Sequence, residues 1–291
     1  MDRHAAARHS ALVSVWVNFC LSIAQIAVGL LARSQALVAD GIHSLSDLIS
    51  DFVVIAANRQ SRLAPDANHP YGHYRFETAA SLFLGLLMLA VSAGIGWNAI
   101  VRLSDVASIP VVHASAVWTA ALALVAKELL FRYMLGVGRR VGSGMLVANA
   151  WHARSDAASS LVVLVGIAAN SLGFPIGDPI ASLIVAALVA RMGASIGWSA
   201  MSDLMDHAAG DEEISAIELA VAGVSGVQGF HDLRTRTVGD FVLVDIHIEV
   251  DESLSVKEGH QIAESVQRKV KTIPKVLDVM THVDPVPVLT R

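Results

Sequence analysis

The sequence predicts an all-α membrane domain of six helices followed by a small α+β domain. Three observations carry that prediction. The 291 residues are 54% hydrophobic and only 16% charged, against about 45–50% apolar and about 25% charged in ordinary soluble domains. Six apolar stretches long enough to cross a bilayer fall within residues 1–205. Beyond them the composition inverts: residues 206–291 hold 8 Lys+Arg and 15 Asp+Glu, whereas residues 1–205 hold 13 and 11. The boundary falls near Asp206, with a six-span membrane domain over 1–205 and an acidic domain over 206–291.

The first span is expected over residues 11–32. It is too long for a signal-peptide core and has no convincing cleavage site, so it is expected to be retained. The others are expected at about 36–60, 79–102, 112–135, 145–172 and 179–204. The breaks between them are Arg33–Ser34, the polar stretch Arg59–Gly72, Ser104–Pro110, Gly136–Gly144 and Gly173–Pro179. Basic residues orient the spans. One side carries Arg3, Arg8, Arg59, Arg62, Arg75, Arg132, Arg139 and Arg140, and the other only Arg33 and Arg102. Both termini are therefore expected in the cytoplasm, with the chain in the inner (cytoplasmic) membrane. The single cysteine, Cys20, excludes a disulfide scaffold. The net charge of −5 gives no case for nucleic acid.

The 12 histidines outnumber the three Tyr and eight Phe together. Two of them stand inside spans. Span two contains His43-Ser44-Leu45-Ser46-Asp47, and span five contains His152-Ala153-Arg154-Ser155-Asp156. In each, His-x-x-x-Asp puts both side chains on one helix face about one turn apart. A carboxylate at bilayer depth costs about 2.5–3.5 kcal/mol on insertion scales. Two helices bearing the same expensive pair are expected to face each other, and two imidazoles with two carboxylates make a four-coordinate shell suited to Zn²⁺. The plainer alternative is that each pair is a hydrogen bond within its own helix. Asp40 and Asp51 share roughly the same stripe; Asp40 is an outer-shell partner, a proton acceptor or an interface residue. Lys127 and Glu128 in span four are expected to pair with each other or with a neighbouring helix.

Between spans two and three, Asp66, His69 and His73 lie within eight residues around Pro70 and Gly72. They are either a solvent-accessible metal site or a capped polar turn. In the acidic domain, 211–222 and 255–271 are expected helices, and 227–237, 241–250 and 276–283 expected strands. Val242, Val244, Ile246, Ile248 and Val250 take one face of the second strand, with Asp245, His247 and Glu249 on the other. The order αββαβ predicts a ferredoxin-like layer. His231, His247, His260 and His282, with Asp284, are candidate metal ligands in this domain. His4, His9, His113 and His207 are expected to be solvated or interfacial.

The segments ADGIHSLSD (39–47), DANHPYGHYRFE (66–77), WHARSD (151–156), LMDHAAGDEE (204–213), GFHDLRTR (229–236) and THVDP (281–285) resemble the cation diffusion facilitator family, specifically its bacterial zinc/iron efflux branch. The resemblance runs from about Val13 to Val286. It implies a homodimeric antiporter that exports divalent metal from the cytoplasm in exchange for protons, and no enzyme. It implies a transport site of His43, Asp47, His152 and Asp156, and a loop site of Asp66, His69 and His73. It also implies a cytoplasmic site of His231, His247, His260, His282 and Asp284 holding paired Zn²⁺ ions, and an Arg75–Asp206 pair linking the membrane and cytoplasmic halves. Close bacterial relatives carry Asp where this chain has His43; His/Asp/His/Asp resembles zinc-selective vesicular transporters of eukaryotes. An imidazole in place of a hard oxygen favours Zn²⁺ over Mn²⁺. Cd²⁺, Fe²⁺ and Mn²⁺ remain alternative main substrates. Two other classes are a membrane metallohydrolase, for which the chain lacks His-Glu-x-x-His, and a metal-sensing scaffold without transport.

Overall fold

The computed structural model describes residues 3–61, 63–141 and 144–287. Arg62 and the side chains of Arg3, His4, Arg8, His9 and Asp51 lie outside the described residues. Six long helices come first: α1 (Arg3–Leu31), α2 (Gln35–Ser61), α3 (Arg75–Ser104), α4 (Ala114–Val141), α5 (Gly144–Ser171) and α6 (Gly177–Leu204). Among the described residues, four helices are long and apolar enough to cross a membrane: Leu12–Leu31, Arg75–Ser104, Ala114–Arg140 and Gly177–Leu204. The other two, α2 and α5, match them in length but carry the Asp, His and Arg residues singled out above.

Several helix ends differ from expectation; α1 begins at Arg3 rather than 11 and α3 at Arg75 rather than 79. The break at 136–144 shrinks because α4 continues through Gly136 and Gly138 to Val141. Single glycines cost a helix only about 1 kcal/mol, and Arg139 and Arg140 sit in its last turn, where cations complement the helix dipole. Pro179, expected to end a loop, lies inside the first turn of α6. A proline fits there because the first N–H groups of a helix have no helical partner.

Backbone packing divides the chain into two compact units, Met1–Ile55 with Phe83–Ile196, and Ala56–Leu82 with Gly197–Arg291. The first has a core rich in alanine and valine, including Ala36, Ala39, Ala116, Ala120, Val163, Val185 and Val189. Small residues let membrane helices approach closely, where packing rather than water exclusion drives association. Gly41 on α2 is such a point: a Cβ there would stand 2.8 Å from Ile26 Cγ1 on α1. At the start of α2, the Asp178 carboxylate of α6 accepts from the Gln35 and Ala36 backbone N–H groups at 2.8 and 3.3 Å.

The second unit holds α7 (Asp211–Ala222), β1 (Gly229–Val238), β2 (Phe241–Asp251), α8 (Val256–Val270) and β3 (Val276–Val286). This is the expected αββαβ order. The three strands lie β1-β2-β3, with β1 antiparallel and β3 parallel to β2. The hairpin turns at Gly239, whose φ is +59°, a conformation that favours glycine. Val242, Val244, Ile246, Ile248 and Val250 are buried against Ile217 and Val221 of α7 and Ala263, Val266 and Val270 of α8. The alternate side chains of β2 therefore point to the face opposite α7 and α8. Ser255 caps α8 in a reciprocal arrangement with Glu258.

Candidate metal centres

In the first unit, α2 and α5 bring their ionisable residues together. His43 is 6% exposed. Its Nδ1 lies 3.6 Å from Asp47 Oδ2, one turn along the same helix, and its Nε2 lies 4.0 Å from Asp156 Oδ1 on α5. That separation exceeds a hydrogen bond, and the buried Nδ1 has no hydrogen-bond partner. Donor atoms of His43, Asp47 and Asp156 lie within 4.8 Å of one another. Two ligands of a tetrahedral zinc ion stand roughly 3.3 Å apart, so the three atoms surround a space of ionic size. Neither His–Asp pair closes as a hydrogen bond within its own helix, at 3.6 Å for His43–Asp47 and 4.0 Å for His152–Asp156. His152 stands outside this group: its side chain is half exposed and its Nε2 lies 4.0 Å from Asp156 Oδ2.

Lys127 and Glu128 do not pair with each other. Glu128 accepts from Arg132 at 2.8 Å, and Lys127 turns inward to Asp40. Asp40 is fully buried.

In the second unit, the loop between α2 and α3 is organised by Asp66. Its Oδ1 accepts from the backbone N–H groups of Asn68 and His69 at 2.9 and 2.7 Å, an Asx turn. Chiefly the His69 backbone N–H holds the Asp66 carboxyl below the ordinary carboxylate range. Asp66 Oδ1 also lies 3.3 Å from His69 Nδ1, and Oδ2 lies 3.5 Å from His73 Nε2. The two imidazole centroids are 4.3 Å apart. Gly72 between them has φ +84°. His73 is buried with no partner for its Nδ1. The same turn is thus both capped and furnished with three convergent donors. Arg75 Nη2 donates to Asp206 Oδ1 at 2.5 Å.

The sheet aligns three histidines. His231 on β1 pairs with His247 on β2, which pairs with His282 on β3. Ring centroids are 5.2 Å apart for the first pair and 4.6 Å for the second. Asp284, two residues past His282 and on the same face, lies close to all three: Oδ2 is hydrogen-bonded to His247 Nδ1 at 2.9 Å and stands 3.5 Å from His231 Nε2, and Oδ1 stands 3.4 Å from His282 Nε2. Imidazoles around one carboxylate make a donor set that fits Zn²⁺.

His260 is not brought to this row. It sits on α8, which covers the opposite face of the sheet, and it is highly exposed beside Glu264 at 3.5 Å. Two acids escaped sequence reasoning. Glu249 Oε1 lies 3.3 Å from His231 Nδ1. Asp232, at a β-bulge with φ +48°, groups with His231 and His247. Glu249 was legible as the i+2 neighbour of His247; Asp232 was not, because a bulge breaks the alternation. His113 is exposed, and His207 Nδ1 meets Ser202 Oγ at 3.0 Å.

Residues 11–205 match the family model described as the cation efflux transmembrane domain, and residues 209–286 match that of the cation efflux protein cytoplasmic domain. Uncharacterized transporter MJ0449 of Methanocaldococcus jannaschii is 37% identical over 94% of this chain and 96% of its own length. Metal tolerance protein C1 of Arabidopsis thaliana is 36% identical over 91% of this chain, which spans only 59% of that protein. Manganese efflux system protein MneP of Bacillus subtilis is 30% identical over 98% of each chain. Six long helices, facing metal-type donors and both family matches lead to one conclusion: this chain is a multi-pass membrane protein of the cation diffusion facilitator family of metal-cation efflux transporters.

Proposed function

We propose that the chain exchanges cytoplasmic Zn²⁺ for external protons across the inner membrane, with both termini cytoplasmic. The observation that carries this reading is His43 wedged between Asp47 and Asp156, an imidazole between two carboxylates on α2 and α5. A turn of the His152 side chain supplies the fourth ligand. Facing the cytoplasm, neutral imidazoles and ionised carboxylates bind the ion; facing outward, lower pH protonates the same lone pairs and releases it. Cargo and protons compete for one set of atoms, so the coupling needs no further proton site. Imidazole suits this because its unperturbed pKa of about 6.5 falls in the working range. The nitrogen donors support Zn²⁺ over Mn²⁺ and Mg²⁺.

The functional division lies near Asp206. The cytoplasmic domain is proposed to dimerise and to hold resident Zn²⁺ through His231, His247, His282 and Asp284, where the metal would cross-link three strands. Its His260 cannot reach the row of its own chain, so it serves as a ligand only to a second copy. Asp66, His69 and His73 form the proposed loop site.

The test is ion flux with the purified full-length chain in liposomes, across Zn²⁺, Cd²⁺, Fe²⁺ and Mn²⁺ at two pH gradients. Zn²⁺ is expected to move fastest, with proton counterflow. His43→Ala and Asp156→Ala are expected to abolish exchange while the chain still folds. Wild-type rates in both variants sink the site, and an Mn²⁺ or Fe²⁺ preference sinks the reading of His43.

A further inference from the structure

One turn from the proposed transport site lies a second cluster of charge that the exchange just described does not use. Asp40 is fully buried, and Lys127 is 2% exposed. Lys127 Nζ lies 3.3 and 3.4 Å from the two Asp40 oxygens and donates to Ser160 Oγ at 2.7 Å. Asp40 also accepts from Ser160 at 2.7 Å and from the Gln25 amide, with Ser159 Oγ 3.3 Å away. The cluster therefore joins α1, α2, α4 and α5. It is also tied to the ligands. Asp40 precedes His43 by three residues on α2, about 4.5 Å along the axis, and Ser159 Oγ donates to the Asp156 backbone carbonyl at 2.8 Å.

An ion pair at this depth is an expensive way to hold helices together. Replacing a buried pair by apolar residues of similar volume is often neutral or stabilising, and each charge is costly in a membrane. What the pair does that apolar residues also do is leave no net charge; what either member alone would do is change the field at the neighbouring site. With Asp40 balanced by Lys127, Asp47 and Asp156 remain as the two carboxylates that match a divalent cargo. An unbalanced Asp40 would add a third negative charge, and an unbalanced Lys127 would cancel one.

We propose that the Asp40–Lys127 pair sets the affinity of the His43–Asp47–Asp156 site by holding the charge beside it at zero. Asp40 and Lys127 are then positioning residues that never touch the ion. The inference rests on the transport reading above, and its signature is one of sign. Unpaired charges of opposite sign move affinity in opposite directions, whereas lost packing impairs both variants alike.

The test measures the half-saturating Zn²⁺ concentration of the full-length chain in proteoliposomes for Asp40→Asn, Lys127→Gln and the double variant. Asp40→Asn is expected to raise it about tenfold or more, because charge in a low-dielectric surrounding is felt a turn away. Lys127→Gln is expected to lower it by about threefold or more and to slow turnover by retaining the ion. The double variant, neutral again, is expected within about threefold of wild type. Shifts in the same direction, or none in folded single variants, overturn the proposal. Should a single variant fail to fold, the double carries the test, and a tenfold loss there overturns the proposal as well. A wild-type chain that moves no metal fails the transport reading instead, and the same comparison of signs is then read from Zn²⁺ binding in detergent.

Discussion

Replacing Asp284 with Ala tests the histidine row at its shared carboxylate. The carboxylate lies 2.9, 3.5 and 3.4 Å from His247, His231 and His282, so in the proposed zinc site its removal takes away the ligand that neighbours all three. Structural zinc sites bind with about 10–16 kcal/mol spread over four ligands, so one ligand carries about 3 kcal/mol. That corresponds to about a hundredfold in dissociation constant. At free Zn²⁺ well above the wild-type constant, a hundredfold weaker site loses about 2.7 kcal/mol of zinc-dependent stabilisation. Without metal the loss is smaller: one 2.9 Å hydrogen bond from His247, worth about 1 kcal/mol. The assay is zinc retained per chain after dialysis of the purified full-length protein against buffered free Zn²⁺, read beside thermal melts with and without metal. The cytoplasmic step of the titration is expected to move by about two decades. A midpoint within about twofold of wild type refutes the shared-carboxylate reasoning.

Gly41→Ala places a methyl 2.8 Å from Ile26 Cγ1 and 3.0 Å from the Ile26 backbone nitrogen, and is expected to cost about 1–3 kcal/mol by overpacking. An unchanged melt in detergent would contradict the close α1–α2 approach. In the cytoplasmic domain, Ile248 is fully buried, so Ile248→Ala is expected to cost about 2–5 kcal/mol, checked by denaturant unfolding. Acid is expected to destabilise the same domain. Hydrogen bonds from Lys275, Ser253, Ser255 and Lys271 hold Glu213, Asp251, Glu258 and Asp278 below their ordinary values. Each lowered carboxyl stabilises the fold above its unfolded pKa, and that contribution is lost as pH falls through the folded value. Stability should therefore be level above about pH 5 and fall below about pH 4. Glu258→Gln should flatten part of that slope; a wild-type curve level from about pH 6 to 3 excludes the effect.

The elements most legible in the sequence were those whose period and length leave little choice. Val242 to Val250 alternate so regularly that β2 and its buried face follow directly. His43 and Asp47 share a helix face by spacing alone. The end of α4 was less legible, because Gly136 and Gly138 resemble a loop locally while the helix tolerates them. The set of convergent ligands was legible only where neighbours are close in sequence. His231, His247 and His282 are far apart along the chain, and only strand register puts them in one row. His260 looked equivalent to them in composition, yet α8 carries it to the other side of the sheet.

By itself the sequence determined the two solvents of this chain. An apolar surplus over 1–205 and an acidic excess over 206–291 follow from composition and need no coordinates. It also placed the His-x-x-x-Asp pairs on α2 and α5, since helical periodicity is local. Tertiary structure alone decided the partnerships. By sequence Asp40 is an outer-shell partner, a proton acceptor or a residue near the interface; packing of α2 against α4 and α5 buries it on Lys127, 87 residues away. The same packing turns His43 toward Asp156 and leaves His152 half exposed. Partners across helices are set by which faces meet, and no spacing within one helix encodes that.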